Sequence, residues 1–131
     1  MALLAAVTLV ACGSKKDAYE SIKENKKLVV AVSPDYAPFE FKTLVDGKDQ
    51  VVGSDIKLAQ AIADELGVKL EVTTMSFDNV LSSLQAGKAD IAISGISVTD
   101  ERKKTFDFSD PYYETQNAII VRKDQESTYS S

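Results

Sequence analysis

Leu28-Val29-Val30-Ala31-Val32 is an unbroken apolar run. Successive residues of a strand point to opposite faces, so a strand with no polar member has no side to give to water. This run must be covered both above and below. The rest of the chain supplies the covers. Asp17 to Lys27 is charged, carries Tyr19 and Ile22, and reads as a short surface helix. Ser33-Pro34-Asp35-Tyr36-Ala37-Pro38 breaks the strand, since two prolines favour a loop. Phe39–Thr43 and Gln50–Val52 flank Asp46-Gly47 and predict a hairpin.

A helix follows, with Ile56, Ala59, Ile62 and Leu66 on one face, Ser54 or Asp55 as cap and Gly67 as stop. Val68, Leu70 and Val72 alternate with polar residues as in a half-covered strand. After Ser76-Phe77-Asp78 a second helix puts Val80, Leu81 and Leu84 on its apolar side and stops at Gly87. Asp90–Ser94 is a further strand, Thr99 caps a short polar helix through Lys104, and Phe106–Tyr113 is a loop. Ala118–Val121 reads as a last strand, and the tail from Lys123 as structureless. Strand, helix, strand, helix, strand predicts an α/β fold with a parallel-sheet core flanked by helices.

The first residues differ in kind. Ala2 to Cys12 is apolar but shorter than the roughly 20 residues that span a bilayer. It suits the core of a secretory signal. Leu9-Val10-Ala11-Cys12-Gly13-Ser14 resembles the lipobox of bacterial lipoproteins. That resemblance implies cleavage before Cys12, lipidation of its thiol, and anchoring of the rest at the membrane. Residues 1–12 are then the signal peptide with its lipobox, and 13–27 a tether and short helix. No Lys or Arg precedes the apolar run, so the usual basic start is missing.

Composition narrows the chemistry. With 15 basic and 20 acidic residues the formal charge is −5, and no basic run offers phosphate contacts, so nucleic acid is not an expected partner. The 131 residues contain no His and one Cys. Ser-His-Asp and Cys-His catalysis, His-ligated zinc and an internal disulfide are excluded. Asp107 and Asp110 are two acids without an accompanying base or nucleophile. No enzyme activity, cofactor or metal is expected.

Ligands of open parallel sheets sit beyond the carboxyl ends of the strands. The loop after the first strand brings Ser33, Asp35, Tyr36 and Phe39 to that rim. The loop before the second helix brings Ser76, Phe77 and Asp78. The loop after Ile93 brings Ser94, Gly95 and Ser97, with Arg102 one turn beyond. Aromatic walls, hydroxyls, an approachable glycine and one guanidinium suit a small zwitterion, because Arg grips a carboxylate with two parallel hydrogen bonds. Blander readings stand beside this one. Arg102 also reads as a solvated helix charge, Tyr36 and Phe77 as core aromatics, and Ser94, Gly95 and Ser97 as a turn.

Six segments in order resemble the bacterial extracellular solute-binding proteins of family 3, the amino-acid-binding components of ABC importers. They are Tyr36-Ala37-Pro38-Phe39, Gly53-Ser54-Asp55-Ile56, Phe77-Asp78, Leu84 to Asp90, Ser97 to Arg102 and Phe108 to Tyr112. The resemblance implies that Arg102, with backbone around Ser97, binds the ligand α-carboxylate. It implies that Gly95 offers a carbonyl to the α-ammonium, that Ser94 lines the pocket, and that Tyr36 and Phe77 sandwich the ligand side chain. Ser33 stands where binders of basic amino acids often carry an acidic reader, and Asp35 is its neighbour. Further implications are an amino-acid ligand, an ABC permease and ATPase as partners, and a lipid-anchored place on the outer face of the cytoplasmic membrane.

Such proteins have two lobes and close on their ligand. The resemblance assigns 28–116 to the first lobe and 117–131 to the hinge exit and opening strand of a second, so a truncated product is expected. Losing a charged partner of the ammonium costs on the order of 1.5–3 kcal/mol, and weak or absent binding follows. A ligand-sensing ectodomain and a cell-surface interaction lipoprotein are the rival readings.

Overall fold

A strand buried on both faces needs two neighbours and two covers, and the computed structural model, which describes residues 17–129, supplies all four. β1 (Lys27–Val32) lies between β5 (Lys69–Thr74) and β6 (Ile91–Ala92), parallel to both. Leu28, Val30 and Val32 turn to one face, where Ile22 of α1 (Ala18–Asn25) and Ala59 and Ala63 of α2 (Ser54–Leu66) complete a core with Ile93. Ala31 turns to the other face, against Val80 of α3 (Phe77–Gln85) and Ala89. The apolar run therefore divides its side chains between two cores. The expected α/β class and parallel sheet are what the chain forms.

The second sheet is antiparallel and joins β2 (Asp35–Tyr36), β3 (Glu40–Val45) and β4 (Lys48–Val52) in that order. Its hairpin turns at Asp46-Gly47, both with positive φ, as the sequence predicts. The strands run longer than the predicted segments because Leu44 and Val45 pair with Asp49 and Lys48.

Several elements differ from expectation. Neither Ser54 nor Asp55 caps α2; the cap position is Gly53, which makes no side-chain bond. The free helix amides of Ser54 and Asp55 instead donate to the carbonyls of Pro38 and Phe39, at 3.2 and 2.9 Å. That contact is close enough to require glycine. A Cβ at Gly53 would stand 2.0 Å from the Phe39 carbonyl oxygen, at a φ of +135°. Asp55, released from capping, is buried.

β6 is shorter than the predicted strand, yet its pairing extends at both ends. The Val29 amide donates to Asp90 Oδ2 and the Asp90 amide to the Val29 carbonyl, each at 2.8 Å. Beyond the strand, the Ile93 amide donates to Ala31.

The chain divides into two compact units, one ending at Ile96 and one starting at Ser97. In the second, the predicted helix after Thr99 is a single 3-10 turn, Arg102–Lys104, with Thr99 Oγ1 accepting the Arg102 amide at 3.2 Å. Ala118–Val121 forms no strand. A strand exists only as one side of a ladder, and among the described residues none pairs with it. Ile119 and Ile120 are 86% and 98% exposed. The tail is less irregular than expected: Lys123–Gln125 and α4 (Glu126–Tyr129) are short helical turns.

Candidate functional site

Parallel strands end on one side, so β1, β5 and β6 deliver the loops after Val32, Thr74 and Ala92 to a common rim. An open cavity of about 440 Å³ lies there, lined by Ser33, Pro34, Asp35, Lys42, Thr74, Met75 and Ser76. Ser33 is buried. Its amide donates to Ser94 Oγ at 2.9 Å, and its own hydroxyl donates to Asp35 Oδ1 at 3.0 Å. The loops after β1 and β6 are thus tied by one hydrogen bond, and Asp35 is oriented by another.

Tyr36 is half-exposed and stacks on Phe39, with ring centroids 5.2 Å apart. Gly95 sits beside it. A Cβ on Gly95 would meet the Tyr36 ring at 3.0 Å, and the φ of +55° already disfavours other residues. Ser33, Tyr36, Ser94 and Gly95 therefore come together as expected. Phe77 opens α3, and part of its ring faces solvent; among the described residues the stacked partner of Tyr36 is Phe39. Ser97 and Arg102 belong to the second unit and meet there. Arg102 Nη1 donates to the Ser97 carbonyl at 2.8 Å, which fixes the half-buried guanidinium. Cys12 lies outside the described residues.

Three residues at or behind the rim escape a reading of the sequence. Glu40, the first residue of β3, is wholly buried, and its Oε1 accepts from Ser94 Oγ at 2.6 Å. The equally buried Asp55 acts on it electrostatically. Burial above all, with the Asp55 and Asp35 charges helping and the Ser94 hydroxyl opposing, raises the Glu40 carboxyl to about 7. In sequence Glu40 is one acid in a strand and Asp55 reads as a cap, so spacing alone carries no sign of the pair. Lys42, which lines the cavity, is also unsignalled.

A two-sided parallel sheet with hydroxyls, aromatics and an open cavity at its carboxyl rim suits capture of a small polar molecule. The pattern of the bacterial extracellular solute-binding proteins, family 3, matches residues 28–129. The chain belongs to this family. Among solute-binding relatives, the arginine-binding extracellular protein ArtP of Bacillus subtilis is 43% identical over 116 residues, which are 88% of this chain and 43% of ArtP. A crystal structure of an amino acid ABC transporter substrate-binding protein from Streptococcus pneumoniae, bound to L-arginine, matches with a TM-score of 0.78 and 67% identity. The match covers 87% of this chain and 48% of that one. The arginine-bound form of domain 1 from TmArgBP matches with a TM-score of 0.66 and 45% identity, over 71% of each chain. This chain therefore spans less than half the length of ArtP and of the pneumococcal protein.

Proposed function

We propose that this chain captures a free cationic amino acid, arginine before lysine, outside the cell and presents it to an ABC permease and its ATPase. The observation that carries the reading is the convergence of Ser33, Asp35, Tyr36, Ser94 and Gly95 on one rim beside an open cavity. Arginine-bound relatives at 67% and 45% identity support the ligand class. Arg102, its guanidinium set by Ser97, takes the α-carboxylate; Gly95 offers its carbonyl to the α-ammonium; Tyr36 and Phe77 flank the side chain. Asp35, oriented by Ser33, attracts the guanidinium in place of the acid that Ser33 lacks. Lys42 also lines this cavity, but its long exposed stem leaves the ammonium free to stay in water.

Residues 28–116 make up the binding lobe in this reading. Cys12 carries the lipid that holds it at the outer face of the membrane, with residues 1–12 as the signal and 13–27 as the tether and short helix. One lobe holds arginine in TmArgBP domain 1, which favours measurable if weak binding here.

Calorimetry with arginine, lysine, citrulline and glutamate tests this. Heat is expected with arginine and lysine, little with citrulline, the neutral isostere of arginine, and none with glutamate. Arg102→Ala removes binding. Asp35→Asn narrows the preference of arginine over citrulline by about tenfold, the scale of one charge-assisted hydrogen bond. A folded chain silent towards every amino acid sinks the proposal. Labelled palmitate entering the protein but not Cys12→Ser tests the anchor.

A further inference from the structure

Past their paired residues, β1 and β6 are joined by the Ile93 amide, which donates to the Ala31 carbonyl at 3.1 Å. A parallel ladder would next give the Ser33 amide a backbone carbonyl. That amide meets a side chain instead, and Ser94 Oγ accepts it at 2.9 Å. The carbonyl of the same peptide, that of Val32, accepts the Met75 amide at 3.0 Å. One peptide plane is thus held by backbone from the β5 side and by a hydroxyl from the β6 side. The turn Ser33-Pro34-Asp35 starts from this plane. It is closed by the Asp35 amide on the Ser33 carbonyl at 2.9 Å and by the Ser33 hydroxyl on Asp35 Oδ1 at 3.0 Å.

The Ser94 hydroxyl has little left for a ligand. A hydroxyl carries one proton to donate and two lone pairs. The proton goes to Glu40 Oε1 at 2.6 Å, one lone pair takes the Ser33 amide, and Ser94 is 3% exposed. Glu40, wholly buried, fixes where that proton points and so leaves a lone pair for Ser33. We infer that the Ser94 hydroxyl is a positioning group for selectivity: through the Ser33 amide it sets the turn that orients the Asp35 carboxylate towards the ligand side chain. Asp35 is exposed, and an exposed ion pair gains little when its side chains must first be ordered. A turn already held removes part of that cost. The inference rests on the amino-acid reading above and deepens it.

Two measurements on the whole chain test it. The first is a double-mutant comparison, with arginine and citrulline as probes and affinities read by NMR titration. Ser94→Ala changes no charge, yet it is expected to narrow the preference for arginine over citrulline by about threefold, the worth of one neutral hydrogen bond. Asp35→Asn narrows it by about tenfold. The double variant is expected to stop at the preference of Asp35→Asn alone, since the Ser94 hydroxyl acts through Asp35. Independent effects would multiply to about thirtyfold and overturn the inference. So would a folded Ser94→Ala with the native preference. Should Ser94→Ala fail to fold, Ser94→Cys, whose thiol is a weaker acceptor, is read in its place with the same outcomes.

The second needs no variant. The Ser33 amide of the native chain is expected to exchange slowly with heavy water although it opens a loop, because its acceptor is buried. Exchange as fast as that of an unbonded amide overturns the inference and leaves the amino-acid reading intact. A folded native chain that binds no arginine removes that reading and this one together.

Discussion

Ser33, Tyr36, Ser94 and Gly95 were legible because each follows directly from a strand whose end is marked in the sequence. Val32 precedes Ser33-Pro34, and Ile93 precedes Ser94-Gly95. Once the strands are parallel, chain position decides which side a loop occupies. Glu40 and Asp55 were hidden because their proximity joins a strand of the second sheet to a helix start, and a lone acid in a strand or first helical turn has ordinary explanations. The reason for Gly53 was equally hidden, being the carbonyl of Phe39, residues away in the chain. Gly53→Ala must displace that carbonyl, against which its Cβ would stand at 2.0 Å, and adopt a φ of +135°. The expected loss is about 2–4 kcal/mol, overpacking and backbone strain together, seen as a lower urea midpoint with an unchanged slope. A change below about 0.5 kcal/mol, the size of an ordinary surface substitution, would show that Pro38–Phe39 moves aside freely.

At the scale of elements, β1, α2, β5 and α3 were set by apolar periodicity, and the structure places each where the pattern does. β6 was set instead by side-chain clamping, since Asp90 takes the Val29 amide that a longer strand would have paired. Asp90→Ala leaves that amide without an acceptor at a half-buried edge and is expected to cost about 1–3 kcal/mol. Asp90→Asn, which keeps an oxygen there, costs less. Equal midpoints for both variants would mean that water replaces the carboxylate. Ala118–Val121 teaches the opposite lesson. Four apolar residues satisfy strand propensity, but propensity without a partner leaves Ile119 and Ile120 in water. Ile120→Lys should leave stability within about 0.5 kcal/mol and lower light scattering of concentrated samples. A clear loss of stability on that change would mean that Ile120 is packed after all.

The whole molecule registers the Glu40 proton in its stability, and the sign is opposite to that of a salt-bridged acid. In the unfolded chain Glu40 titrates near its ordinary value of 4.5, and in the folded chain at about 7. Between these values the folded state holds the proton and the unfolded state does not. Stability then falls as pH rises, because its slope follows the protons bound by the unfolded state minus those bound by the folded. The contribution is complete below 4.5, declines through the window and is gone above 7. The native curve alone does not isolate Glu40. Its difference from Glu40→Gln does, since every other group is common to both. Urea midpoints at about pH 5 and about pH 8 should show the variant gaining on the native chain as the solution becomes alkaline. A constant gap means that water reaches Glu40 as readily in the folded chain as in the unfolded one.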